Sequence, residues 1–427
     1  MDAETQEPIP MVTIQMNHFE GSITNSEGVF SINKDLLEKQ NDSLTISCIG
    51  YKTKRILFSK NTDRKIFLKP ETYELTEIFL SAKKYTAEEI IEKAKGYLEK
   101  NYKIEYQKSQ IFMRQSGYSN MKNFKFLVIE STLDNINQKL LDDTFKDIKK
   151  KYIYLNETLA DAVQKNQKES KLLIIKSLTI ESKEELASEK KMQEDFMKIM
   201  TENFKSDSQL IFKTGIIRLD KTETIDSITK KMKKETSQED RNKNITGYKI
   251  NALNDMTTNL FIHKKSEVDF INYSNKYEFI NRGYTTFNGD WVYKLEFFPK
   301  GNAKYKGILY IDVFNFAIVQ AEFQGAKNIF ENHFNMLGIK ANTLTYKSLV
   351  QFQRANEKYV LKYYRLEKTD EVGIDRPFTV VEKNENVKGK SRINKVETHL
   401  NMHLSITIKL KLFLTLTPFL TQVLMKI

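Results

Sequence analysis

Over the first 82 residues apolar and polar positions alternate with a period of two. Val12, Ile14 and Met16 alternate with Thr13 and Gln15, the pattern of a strand with one buried face. Asn25-Ser26-Glu27-Gly28 is turn chemistry, because Gly28 accepts a positive φ without steric cost, and it predicts a reversal into Val29-Phe30-Ser31-Ile32. Further short strands are expected at 44–49, 54–58 and 65–68, with 77–80 closing the sheet. Ile14, Phe30, Ile32, Leu44, Ile46 and Ile56 are the expected core, and the spacing is that of an all-β sandwich. Gly50 is expected at a bulge or a close backbone approach, and Tyr51 as a buried ring with a locally bonded hydroxyl.

Beyond Ala82 the period changes. Thr86 stands as a cap with Glu89 three residues on, and apolar residues fall at 87, 90, 91, 94, 97 and 98, which predicts a capped amphipathic helix. A strand follows at 111–115. From about 160 to 243 the chain is rich in Lys, Glu and Gln. Met192, Phe196, Ile199, Met200 and Phe204 predict an amphipathic helix there, and 230–244 reads as a solvated linker. Strands are expected to resume after Gly247, at 260–263, 277–280, 290–297, 305–312, 317–323, 344–352 and 358–366, as an antiparallel meander. Alternation at 291–297 puts Trp291, Tyr293, Leu295 and Phe297 on one apolar face, and such a face requires cover. The helix near 190–206 is the expected cover.

The segment after Leu400 has no acidic residue, and Leu404, Ile406, Ile408, Leu410, Leu412, Leu414 and Leu416 alternate strictly. A strand of that length suffices to cross a bilayer as a barrel stave, but one stave closes no barrel. Lys409, Lys411 and Pro418 argue against a membrane helix, and the composition shift reads as an altered end of the chain.

Composition adds limits. At 427 residues the chain holds material for two or three domains, and 29% charged against 40% hydrophobic residues describes a globular bulk. The formal charge of +12 invites a nucleic-acid partner, but lysines are interleaved with glutamates and no aromatic-basic motif is present, so nucleic acid is not an expected partner. Cys48 is the single cysteine, which rules out an intramolecular disulfide and reads as a small core hydrophobe. No catalytic residue, cofactor-binding residue or metal ligand is assigned. The five histidines, His18, His263, His333, His399 and His403, form no H-E-x-x-H pattern, and His399 and His403 sit four apart in what reads as a strand. No nucleophile elbow, phosphate loop or dinucleotide fingerprint occurs. Asp290 and Asp312 are expected to cap turns or face water.

Pro8-Ile9-Pro10, Thr24-Asn25-Ser26-Glu27-Gly28-Val29-Phe30-Ser31-Ile32 and Ser47-Cys48-Ile49-Gly50-Tyr51-Lys52 together resemble the carboxypeptidase-like regulatory domain, with Asn25 where Asp is usual. The resemblance implies a transthyretin-like β-sandwich at the front of an envelope protein of double-membraned bacteria, an accessory module without the peptidase's zinc chemistry. Gly28, Phe30, Gly50 and Tyr51 are its structural signature here. The family's usual first strand has no counterpart, and no secretory signal is legible, which reads as a start assigned late. A weaker similarity to two-part envelope proteins extends from the helix at 86–102 to about residue 385. The run from Tyr305 to Phe323 is similar to the curved half-barrel of lipoprotein carriers, whose concave face would hold an acyl chain.

The expected fold is a β-rich α+β chain. Residues 1–82 form the sandwich, 83–105 a linking helix, 106–385 an α+β domain with a helical insertion at 160–243 and an antiparallel sheet at 247–366, and 386–427 an atypical tail. The expected function is a non-enzymatic binding or scaffold protein of the periplasm or outer membrane, near a membrane, with an envelope protein as partner. A carrier of an apolar ligand is the alternative, and a hydrolase the third reading. Nothing in the sequence sets the ligand or the oligomeric state.

Overall fold

The computed structural model describes residues 1–416 except 11, 17–18, 26, 32–42, 58–64, 72–84, 147, 149, 167–168, 182, 216, 229, 231–237, 327–333 and 385–391. The N-terminal strands are β1 (Thr13–Met16), β2 (Phe19–Ile23), β3 (Ser43–Ser47) and β4 (Lys54–Leu57). Two short helices follow, α1 (Ala87–Gly96) and α2 (Leu98–Tyr102), then β5 (Tyr106–Ser131), α3 (Gln138–Phe145), β6 (Lys151–Lys165), β7 (Glu169–Glu181) and α4 (Lys183–Asn203). Next come β8 (Gln209–Thr214), β9 (Ile217–Thr224), α5 (Gln238–Thr258), β10 (Tyr277–Phe287), β11 (Asp290–Pro299), β12 (Tyr305–Asp312) and β13 (Ile318–Gly325). The chain ends in β14 (Phe334–Met336), β15 (Ile339–Ala355), β16 (Lys358–Lys383) and β17 (Arg392–Leu416). The fold is β-rich α+β: a small four-stranded antiparallel sheet ordered β2-β1-β3-β4, then a large antiparallel sheet of 13 strands with a few helices.

The chain divides into two compact units. The first comprises Met1–Lys103, Asp269–Glu322 and Phe352–Val360, and the second Ile104–Val268, Phe323–Gln351 and Leu361–Ile427.

In the first unit, Ile9, Val12, Ile14, Leu44, Ile46 and Leu68 form the core of the small sheet, with Phe30, Cys48, Tyr51, Ile56 and Ile66 packed against it. The expected reversal at Asn25 is present. Asn25 Oδ1 accepts from the amides of Glu27 at 3.1 Å and Val29 at 2.8 Å, and Gly28 sits at φ +68°. The strand paired to β1 is Phe19–Ile23; of the expected strand at 29–32, residues 29–31 lie outside any strand and Ile32 lies outside the described residues. Residues 65–68 contribute a bridge, Leu68 to Asp2, instead of a full strand. The expected strand at 77–80 and the core position Ile32 lie outside the described residues. Helix α1 has the expected reciprocal cap: Thr86 Oγ1 accepts from Glu89 N at 3.2 Å and Glu89 Oε2 accepts from Thr86 N at 2.9 Å. Its Ile90, Ile91 and Ala94 are buried. Strands β10, β11 and β12 make an antiparallel meander in this unit.

In the second unit the strand order is β15-β16-β17-β5-β6-β7, with β8 paired to the end of β16 and β9 to β8. Three strands here reach 25 or 26 residues. The strictly alternating segment after Leu400 is part of β17, a strand that pairs over almost its whole length with β16 on one side and β5 on the other. The region at 160–243 is not mainly helical, since β6, β7, β8 and β9 occupy much of it. The segment expected as a linker at 230–244 enters α5 at Gln238, and the strand expected at 260–263 is a turn closed by His263 N to Leu260 O at 2.9 Å. Leu260, Phe261 and Ile262 are buried, and a short buried apolar run does not by itself distinguish a strand from a helix exit. Met200 of helix α4 and Phe204 just beyond its end are buried with Ile136, Leu210, Ile225 and Val396.

Candidate functional site

The apolar face expected on β11 is closed. Tyr293, Leu295 and Phe297 are buried and Trp291 is half-buried. The cover over Phe297 is local, from Phe270 at a ring distance of 4.6 Å, with Tyr277 at 5.8 Å and Phe279 at 6.0 Å beside it on β10. Tyr293 stacks on Phe316 at 6.4 Å. The buried residues of the expected covering segment at 190–206, Met200 and Phe204, pack with Leu210 and Val396 of the second unit.

The signature residues of the small domain hold its turns. A Cβ on Gly28 would sit 3.0 Å from Pro8 Cβ, so both φ and space require glycine. Gly50 has φ +81° with open space around it, a turn requirement rather than the expected close approach. The Tyr51 hydroxyl donates to Asp2 Oδ2 at 2.7 Å, a contact across the domain rather than a local one. That bond and the amides of Thr5 and Glu4 hold Asp2 below the usual carboxylate range, Thr5 most strongly. Burial pushes the Cys48 thiol up to about 12. Asp312 caps its turn, with Oδ1 accepting from the amides of Phe314 at 2.8 Å and Asn315 at 3.0 Å.

His399 and His403 lie on one face of β17, yet each meets its own carboxylate: Asp375 at 2.6 Å and Glu371 at 3.6 Å. Glu371 is also engaged by Lys122, which holds its carboxyl down. Among the described residues no group of three or more His, Cys, Asp or Glu side chains is placed to hold a metal ion.

A polar cluster that sequence reasoning did not single out lies under α5. Register places Ser177, Thr158, Met113 and Leu412 in one row across β7, β6, β5 and β17, and Thr179, Asn156, Gln115 and Leu410 in the next. Helix α5 crosses this face, and Lys249 Nζ donates to Thr158 Oγ1 and Ser177 Oγ, both at 2.5 Å. Thr158 Oγ1 donates to Asn156 Oδ1 at 3.2 Å, and Asn156 Nδ2 to Thr179 Oγ1 at 2.7 Å. Gln115 Nε2 donates to the hydroxyls of Tyr248 at 2.7 Å and Tyr154 at 3.3 Å. Gly117 makes room for the Tyr154 ring, since a Cβ there would fall 2.0 Å from it. Lys249 is 2% exposed, and burial alone lowers its pKa; no carboxylate contributes. Burial chiefly, then Tyr248, raises the Tyr154 hydroxyl. A cation so placed is stabilised by neutral oxygens only, an incomplete compensation for the water it has lost.

Moving from β6 to β17 the same face turns apolar. Leu404, Ile406, Ile408 and Leu410 on β17 lie beside Met121, Ser119, Gly117 and Gln115 on β5. One end of this face is covered by α3 and α4, where Phe145 meets Phe124 at 5.5 Å and Phe126 at 5.4 Å, and the other end by α5. Between them Met402, Leu404, Ile406, Ile408, Val372 and Ile374 are only half-buried.

Residues 1–80 match the model of the CarboxypepD_reg-like domain, and that segment is such a domain. No curated protein matches the chain. Solved structures align weakly. The Pseudomonas aeruginosa MucA/MucB complex does so at 8% identity over 75% of this chain and 93% of that one, with a TM-score of 0.19. The Pseudomonas aeruginosa outer membrane protein OprG aligns at 8% identity over 73% and 98%, with a TM-score of 0.13. Scores this low mark no shared overall arrangement.

Proposed function

We propose that the chain is a non-enzymatic binding or scaffold protein of the bacterial cell envelope, with the CarboxypepD_reg-like domain as its accessory module. The carrying observation is the two-faced sheet of β16, β17 and β5. One face bears Glu371, Asp375, His399 and His403, and the other the half-buried row from Met402 to Ile408. A face of that kind between two helix-covered ends favours the second reading, in which an apolar ligand is what the protein binds. The domain at 1–80 supports the envelope location, since the resemblance is to modules at the front of envelope proteins. Fractionation of the source cells, probed for the native chain, should recover it with the periplasm or outer membrane; recovery in the cytoplasm overturns the location. For binding, the full chain should enhance the fluorescence of a hydrophobic dye. Ile406→Glu, which puts a charge in the middle of the face, should abolish that signal while leaving circular dichroism unchanged. A dye-negative wild type overturns the apolar-ligand reading.

A further inference from the structure

We infer that the cluster beneath α5 holds the carboxylate of an unbranched aliphatic acid whose tail lies along Leu410, Ile408 and Ile406; this rests on the apolar-ligand reading above. The Thr158 and Ser177 oxygens accept from Lys249, Asn156 Oδ1 from Thr158, Thr179 Oγ1 from Asn156, and the Tyr154 and Tyr248 oxygens from Gln115. The Thr158 and Ser177 hydroxyl protons are used, the latter on Glu157 O at 3.2 Å. Thr179 and Tyr248 stand exposed to water, so the covered donors left over are the third N–H of the buried Lys249 and the hydroxyl proton of the half-buried Tyr154. Both partners of the buried Lys249 ammonium are neutral hydroxyls, so the acceptor that would complete its shell is an anionic one. Lys368 on the same face is different, being already paired with Asp370 at 2.9 Å. The flank decides what the carboxylate is attached to. The next positions across the sheet are Leu412, Leu410 and Ile408, so the group bound beside them is apolar. Tyr248 is 58% exposed, which opens the cluster to solvent for entry of the ligand.

The test is calorimetric titration of the full chain with decanoate, decan-1-ol and acetate. Decanoate should bind at least about tenfold more tightly than decanol, the ratio set by one hydrogen bond to a charged group. Acetate should bind more weakly than either, for lack of a tail. Lys249→Met should bring decanoate down to decanol. Tyr248→Phe, at an exposed position where folding is not at stake, should weaken decanoate several-fold and leave decanol unchanged, and Lys165→Met should change neither. Equal binding of decanoate and decanol to the wild type overturns the carboxylate site while the apolar-ligand reading stands. Binding of neither overturns both. A decanoate preference that survives both Lys249→Met and Tyr248→Phe places the anion elsewhere and also overturns the inference.

Discussion

At the scale of single residues, the positions legible in the sequence are those where the backbone itself demands a residue type. Gly28 is the case in point: its φ of +68° and its approach to Pro8 both exclude a side chain. Gly28→Ala should cost about 1–2 kcal/mol, read as a lower urea midpoint of the full chain; an unchanged midpoint would show that the turn relaxes. Phe30 was legible as core, but it is only half-buried. Lys249 was not legible, because Thr158 and Ser177 lie 91 and 72 residues away and no local spacing announces them. The available signal was a lysine in line with Leu253 and Met256 on a helix that begins earlier than the local composition suggests. Its pKa is lowered by burial, so the unfolded chain holds that proton to higher pH than the folded one. Stability should therefore rise with pH toward the ordinary lysine value of about 10.4. Relative to Lys249→Met, the wild type should gain stability between pH 7 and 10. A difference between the two chains that is flat in pH would place the ammonium in water.

Elements were legible where period and punctuation agree. Helix α1 was readable from Thr86, Glu89 and the apolar positions, and Thr86→Ala should lower stability by about 1 kcal/mol, with Thr86→Asp restoring it in thermal melts. The strands β11 and β12 were readable from alternation, and β17 shows what a long strict alternation means when partners exist: a strand with two neighbours. The partner of α4 was not readable, since an amphipathic stripe states that a face is buried and not what it meets. Because Phe204 is 6% exposed within the cluster of Leu210 and Val396, Phe204→Ala should cost about 3–5 kcal/mol in chemical denaturation. A loss below about 1 kcal/mol would mean that this end of the sheet is covered by something else.

At the scale of the whole molecule, the boundaries expected at 82, 105 and 385 describe stretches of sequence, whereas the compact units are assembled from interleaved segments. The first unit needs Phe352–Val360 as well as Met1–Lys103, and the second needs Leu361 onward as well as Ile104–Val268. Composition cannot show this, because it changes gradually along the chain while long-range pairing sets which segments close a core. A chain ended after residue 351 would lack part of each unit. It should show no cooperative thermal transition, and a sharp transition at the wild-type temperature would mean that the early segments suffice. The pairing of β5 has a consequence for biosynthesis. One edge of β5 finds β6 as soon as the next hairpin is made, but the other must wait for β17, with Gln115 opposite Leu410. At roughly 5–20 residues per second that interval is on the order of tens of seconds. Throughout it a 26-residue strand stands half-zipped, with a row of open amides and carbonyls, so a nascent chain of this protein is a client for whatever holds unfinished sheets apart.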